Sequence, residues 1–227
     1  MTGLVLKLSY NKIGDSTLEG GICGSFFVLK PNLAITANHV LNKQTFIPNP
    51  GFKYCQLWLI IEQNTIIEIF ANNCTEHSEI DTTFINLKNS YPEYIRPISN
   101  KNIEIGIECK NEGFIGGTMP VLEANWSQTR LVISNCTYEE TIANGKGHIK
   151  SKKIMNVNAN DIKMTEIYGL ETSYGGTKGM SGGPLINLKT DEIVGLMSIG
   201  LPADVQIKKT LFAVSIKEIM KKLENVA

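Results

Sequence analysis

Lys178-Gly179-Met180-Ser181-Gly182-Gly183-Pro184-Leu185-Ile186 is the stretch whose reading decides the fold. A serine stands among glycines, directly before a short apolar run with the character of a strand. Glycine has no Cβ, so it permits a tight turn and the close approach of a substrate backbone. A serine that attacks a carbonyl needs amide N–H groups beside it to hold the negative oxygen that develops in acyl transfer. The backbone amides of Gly179 and Ser181 are the candidates for that oxyanion hole. Taken alone, the stretch reads equally well as an ordinary turn of an all-β protein.

A neutral serine hydroxyl is a weak nucleophile and requires a base whose pKa lies near the working pH. The chain holds three histidines, His39, His77 and His148. His77 falls in a polar loop between Cys74 and Asp81, and His148 lies beside Lys150, Lys152 and Lys153, so both read as surface residues. His39 instead follows the strand-like run Ser25 to Leu29 and the turn Thr36-Ala37-Asn38. A histidine base needs an acceptor that sets its tautomer and stabilises the imidazolium. Asp81 opens the apolar run Thr82 to Leu87 and is preferred over Glu76 and Glu79, which read as solvated loop residues. The catalytic candidates are therefore His39, Asp81 and Ser181, in that chain order.

Thr36-Ala37-Asn38-His39, Asp81 ahead of an apolar strand, and Gly179-Met180-Ser181-Gly182-Gly183-Pro184 resemble the three motifs of the chymotrypsin-like (trypsin-fold) serine peptidases. The character is closest to the disulfide-poor bacterial and HtrA-like members, and the resemblance runs from about Gly20 to Ile219. It implies an all-β chain of two packed six-stranded antiparallel β-barrels with a C-terminal helix. Residues 1–95 would form the first barrel, carrying His39 and Asp81. Residues 96–227 would form the second, carrying Ser181 and a terminal helix over about 216–225. The implied activity is a serine endopeptidase acting through an acyl-enzyme, with no metal and no cofactor. The alternatives are a catalytically silent or partner-activated protein-binding module, and an esterase using the same triad.

The resemblance also implies a specificity pocket. Gly175 would form its floor, Gly176, Thr177 and Lys178 its walls, Ser198-Ile199-Gly200 the opposite strand, and Leu211 would lie near its base. Trypsin-like members carry an aspartate at the Gly175 position, and glutamate-specific members a histidine at Met197. An uncharged pocket would prefer an apolar or small substrate side chain, because an unpaired buried charge is costly. Met180 replaces the aspartate that receives a new α-amino group in trypsin relatives, which implies no maturation by N-terminal insertion. A methionine that can only pack implies an oxyanion loop that is mobile or ordered by a regulatory protein. Cys23 would match the partner of a bridge whose second cysteine is replaced by Val40. A PDZ domain of the HtrA kind is not expected after the terminal helix.

Composition excludes other classes. Lys plus Arg equals Asp plus Glu at 22 each in 227 residues, so no long-range field recruits nucleic acid or an acidic membrane. No run reaches the ~18 apolar residues of a membrane span. Met1 to Leu8 reads as a first strand, not as a signal peptide. The five cysteines (Cys23, Cys55, Cys74, Cys109 and Cys136) are odd in number and include no close pair, which disfavours both a disulfide framework and a zinc site. A reducing, cytoplasmic setting is the expectation. The short run Lys150 to Lys153 reads as solvated surface. Residues 89–102, with Pro92 and Pro97, read as a linker between halves. Ser215 and Glu218 form a capping-box pattern ahead of an apolar stripe of Ile216, Ile219, Met220 and Leu223.

Overall fold

The computed structural model describes residues 1–138, 145–159, 162–200 and 211–224. Side chains alternate across a strand, and the first half uses both faces of its sheet. β1 (Thr2–Tyr10) pairs with β2 (Glu19–Lys30) and with β4 (Tyr54–Glu62), all antiparallel. Val5, Leu57, Leu59 and Ile61 point into one core with Phe26 and Val28. Leu4, Leu6, Leu8, Trp58 and Ile60 point to the opposite face. A sheet buried on both faces needs near-continuous apolar runs, and Leu57 to Ile61 is one. β3 (Leu33–Ala37), β5 (Thr65–Ile69), β6 (Cys74–His77) and β7 (Thr82–Asn86) complete a seven-stranded sheet in the order β5-β4-β1-β2-β3-β7-β6.

The second half is a closed barrel of six strands. In chain order these are β8 (Glu108–Asn111), β11 (Gly145–Ala159), β12 (Ile162–Thr172), β13 (Pro184–Asn187), β14 (Ile193–Gly200) and β15 (Leu211–Ser215). Between β8 and β11 the chain forms a separate hairpin, β9 (Val121–Trp126) with β10 (Leu131–Thr137). The apolar face of this hairpin covers the first sheet and not the second barrel. Leu131, Ile133 and Cys136 pack with Leu4, Leu6 and Trp58. Gln56 ties the hairpin down, its amide donating to the Leu131 carbonyl (3.1 Å) and accepting from the Leu131 N–H (2.9 Å).

The halves meet through a shared core. Phe27, Leu33, Ile35, Ile80 and Phe84 from the first pack against Met155, Ile167, Leu196 and Phe212 from the second. Helix α1 (Ile216–Glu224) docks Ile216, Ile219, Met220 and Leu223 on this same core, as its stripe predicts. The capping box is not made by the serine, because the Ser215 hydroxyl is buried without a partner. Asn225, the last residue of the expected terminal helix, lies outside the described residues. No described helix is long and apolar enough to cross a membrane.

The lysine run at 150–153 is more than solvated surface. It lies within β11, where Lys153 and Lys150 reach the buried Glu171 carboxylate at 2.6 and 3.4 Å and the Ser151 hydroxyl donates to it at 2.6 Å. Burial works against ionisation of Glu171, but these contacts outweigh it and pull its pKa down to about 2. A depressed carboxylate pKa stabilises the fold above the unfolded value and loses that contribution as pH falls through the folded one. The window therefore runs from ordinary glutamate values down to about 2. Glu171→Gln is expected to lower Tm at neutral pH and to flatten the Tm-versus-pH curve in that window. Parallel curves for the two proteins would refute it. Salt should shrink the difference, since both lysines are more than half exposed.

Candidate active site

Strand register brings the first two catalytic candidates together. β3 and β7 pair antiparallel with Ala37 opposite Thr82, so the residues just after β3 meet the residue just before β7. After Ala37 the chain turns, with the Val40 and Leu41 amides donating to the Ala37 carbonyl, and this turn lifts His39 off the strand end. Asn38 N–H donates to the Asp81 carbonyl (3.0 Å), and the Thr83 hydroxyl donates to the Asn38 side chain (3.0 Å). Asp81 adopts the left-handed conformation (φ 46°, ψ 48°), which short polar side chains tolerate better than others do.

Asp81 is 1 % exposed and its carboxylate collects three donors. His39 Nδ1 lies 2.8 Å from Oδ2, the His39 backbone N–H donates to Oδ1 at 3.0 Å, and the Ser198 hydroxyl donates to Oδ2. A proton on Nδ1 leaves Nε2 with its lone pair, the tautomer a base requires. Ser181 approaches from the second half, on the turn before β13. Its hydroxyl donates to the Ser198 carbonyl at 3.1 Å, and no described hydrogen bond joins it to His39. Rotation about the Ser181 Cα–Cβ bond to another staggered position would carry Oγ off that carbonyl.

The loop before Ser181 is held peptide by peptide. The Lys178 carbonyl accepts from Gly116 N–H (2.8 Å), the Gly179 carbonyl from the Ser25 hydroxyl (2.8 Å), and the Met180 carbonyl from Gly183 N–H (3.0 Å). In a trans peptide C=O and N–H point in opposite directions. Carbonyls drawn inward at Lys178 and Met180 therefore turn the Gly179 and Ser181 amides outward. Neither amide donates to any described protein acceptor. The φ of Gly179 is +95°, a value other residues rarely adopt.

A search of solved structures returns proteases over nearly the whole chain. The Rv3671c protease of M. tuberculosis in its active form aligns with a TM-score of 0.59 at 15% identity, covering 98% of this chain and 79% of that one. Its inactive form gives 0.57 at 14% identity, with coverages of 98% and 88%. The HtrA-type protease AlgW with a decapeptide gives 0.66 at 12% identity, covering 99% of this chain and 63% of AlgW. This chain has the chymotrypsin-like fold. No family model matches its sequence, and no curated protein is significantly similar to it.

Contacts and strand pairing join several of the pocket candidates. Gly176 lies against Leu211, whose Cδ1 would be 2.8 Å from a Cβ placed on the glycine. Leu211 pairs across the sheet with Gly200, and Phe212 with Ile199, so Ser198 to Gly200 and Leu211 stand on neighbouring strands. Gly175 is half-buried, while Gly176, Thr177 and Lys178 are exposed. Lys178 is the one charged residue among these candidates. Met197 is fully buried in the barrel core with Cys109, Leu185 and Ala213.

Two expectations are corrected. Met180 does more than pack: its buried sulfur accepts from Thr177 N–H (3.0 Å) and from the Asn111 amide (3.5 Å). Thioether sulfur is a weak but usable acceptor, so Met180 braces the loop from within the chain. His77 is not a surface residue; its ring packs edge-on against Phe84 and its Nε2 is buried without a partner. Gly24 lies against Val40, for a Cβ on Gly24 would fall 2.6 Å from both Val40 methyls, and Cys23 packs against the cluster that holds Val40. His148 is exposed, as read, and Glu79 is exposed and paired with Lys222.

Sequence reasoning assigned Ser198 to the substrate strand and missed its bond to Asp81. The available signal was a polar residue within the apolar run Ile193 to Ile199, since a buried hydroxyl implies a partner. All five cysteines are free thiols, and burial pushes Cys74 up to about 12 and Cys109 and Cys136 up to about 11. None of the three is poised as a thiolate nucleophile. Among the described residues no three His, Cys, Asp or Glu side chains gather as metal ligands.

Proposed function

We propose that this protein is a serine endopeptidase in which Ser181 attacks the peptide carbonyl. His39 takes the serine proton and passes it to the leaving amine, and Asp81 orients His39. The Gly179 and Ser181 amides hold the oxyanion, and water resolves the acyl-enzyme. The observation that carries this reading is the buried Asp81 carboxylate, which accepts from both the His39 ring and the His39 backbone. A solvated surface pair would have no need of the second bond. The outward Gly179 and Ser181 amides support it, and so do an exposed Lys178 and a Met197 turned into the core, since neither fills the proposed pocket. The solved relatives are themselves described as proteases. With no acidic residue at Gly175, cleavage after Leu, Val, Ala or Phe is expected. Substrate backbone would add as a strand beside Ser198 to Gly200.

The test is covalent labelling with a fluorophosphonate, run beside hydrolysis of a peptide panel and of matched esters. Wild-type protein should label, Ser181→Ala should not, and His39→Ala should label at least roughly a thousandfold more slowly. Labelling indifferent to both substitutions would sink the assignment. Absence of labelling in the wild type would favour the silent binding module, a reading consistent with the Ser181 hydroxyl resting on the Ser198 carbonyl. Turnover of esters without peptides would favour the esterase, and cleavage mainly after Lys, Arg or Glu would refute the uncharged pocket.

A further inference from the structure

Every polar atom of Ser25 in β2 is engaged, and its N–H and hydroxyl both reach the catalytic loop, although the residue belongs to the other half of the molecule. Its N–H donates to the Ser181 carbonyl (2.8 Å), and its carbonyl accepts from the Thr36 hydroxyl (2.7 Å). Its hydroxyl donates to the Gly179 carbonyl (2.8 Å) and accepts from Phe114 N–H (2.9 Å). The side chain is fully buried, so no water competes for these bonds. From these contacts we propose that Ser25 is the positioning residue of the oxyanion hole, setting from across the interface between halves the Gly179–Met180 peptide that joins the two donor peptides. The proposal rests on the peptidase reading above and deepens it.

The physical argument is conformational. At φ +95° with no Cβ, Gly179 has several backbone orientations open to it, and only the one that turns its N–H outward leaves a donor for the oxyanion. The Lys178 carbonyl is held by Gly116 N–H on one side of Gly179. On the other side the Gly179 carbonyl has a single described donor, the Ser25 hydroxyl. The same hydroxyl satisfies Phe114 N–H, in the segment that also carries Gly116, so one oxygen fixes both the loop and the strip of chain it leans on. Ser25→Ala leaves two buried polar groups unpaired and the Gly179 peptide free to turn.

The experiment compares wild type, Ser25→Ala and Ser25→Cys for turnover of a peptide substrate, inhibition by a peptide aldehyde of the same sequence, and hydrogen exchange of residues 174–183. Ser25→Ala should lower kcat by about 10- to 100-fold, less than the loss of a whole oxyanion donor. KM should change by under about twofold, and aldehyde affinity should fall in parallel with kcat. Val28→Ala, a core truncation in the same strand, serves as the stability control and should leave kcat near wild type. Wild-type kcat and aldehyde affinity in Ser25→Ala overturn the proposal. If Ser25→Ala does not fold, Ser25→Cys decides: its weaker donor should give an intermediate kcat, and an undiminished kcat overturns the proposal. If wild type neither labels nor turns over, the peptidase reading has failed. Ser25 is then judged from exchange at residues 174–183, which should quicken in the variant; unchanged exchange overturns it.

Discussion

Asp81→Asn is expected to lower kcat/KM for a peptide substrate by about 10,000-fold while the protein stays folded. The carboxylate is acceptor-only and accepts a hydrogen bond from His39 Nδ1–H at 2.8 Å, which leaves Nε2 free to accept from Ser181. An asparagine can present its NH2 group to Nδ1 instead. The imidazole then carries its proton on Nε2, the wrong nitrogen for a base. Geometry survives because the amide oxygen still accepts from His39 N–H or from Ser198. The check is kcat and KM measured separately beside circular dichroism. A drop below about tenfold would mean that His39 needs no orienting acceptor and that another base serves Ser181.

The second large effect is on stability. Gly182→Ala is expected to cost about 3 kcal/mol, from a left-handed backbone together with overpacking, and so to lower Tm by roughly 6–12 °C. Gly182 has φ +87°, and a Cβ there would lie 2.0 Å from the Ser25 carbonyl oxygen and 2.3 Å from the Thr36 hydroxyl. That contact is where the turn after the nucleophile presses on β2, so activity should vanish with the stability. Gly51→Ala separates the two causes, because Gly51 also has positive φ (+89°) but its Cβ would meet nothing within 4 Å. A thermal scan in which the two variants fall by the same amount would remove the steric part of the argument.

Much of the site is legible in the sequence because its chemistry needs rare residue types beside distinctive turns. With three histidines in the chain, the strand and small-residue turn before His39 single it out. Asp81 stands out because a carboxylate opening an apolar strand must be buried or paired. The apolar runs likewise announce an all-β chain, and the stripe on α1 announces a docking face. Where the reading stopped short, the missing information was three-dimensional. His77 looks like a loop residue until Phe84 on the neighbouring strand covers it. The lysines of β11 look solvated until the antiparallel register places Glu171 beside Ser151.

By itself, then, the sequence determined strand content, the three candidate catalytic residues and their order, and the absence of a charged residue at Gly175, because each is a property of local pattern. Tertiary structure decided everything that depends on which strands become neighbours. It placed the β9–β10 hairpin on the first sheet, since an alternating strand records that it has an apolar face but not what covers it. It set Gly24 against Val40, a contact between β2 and the turn after β3. It also placed the hydroxyls of Ser198 and Ser25 against Asp81 and Gly179. These contacts join residues 117 and 154 positions apart, and no local pattern encodes such a pairing.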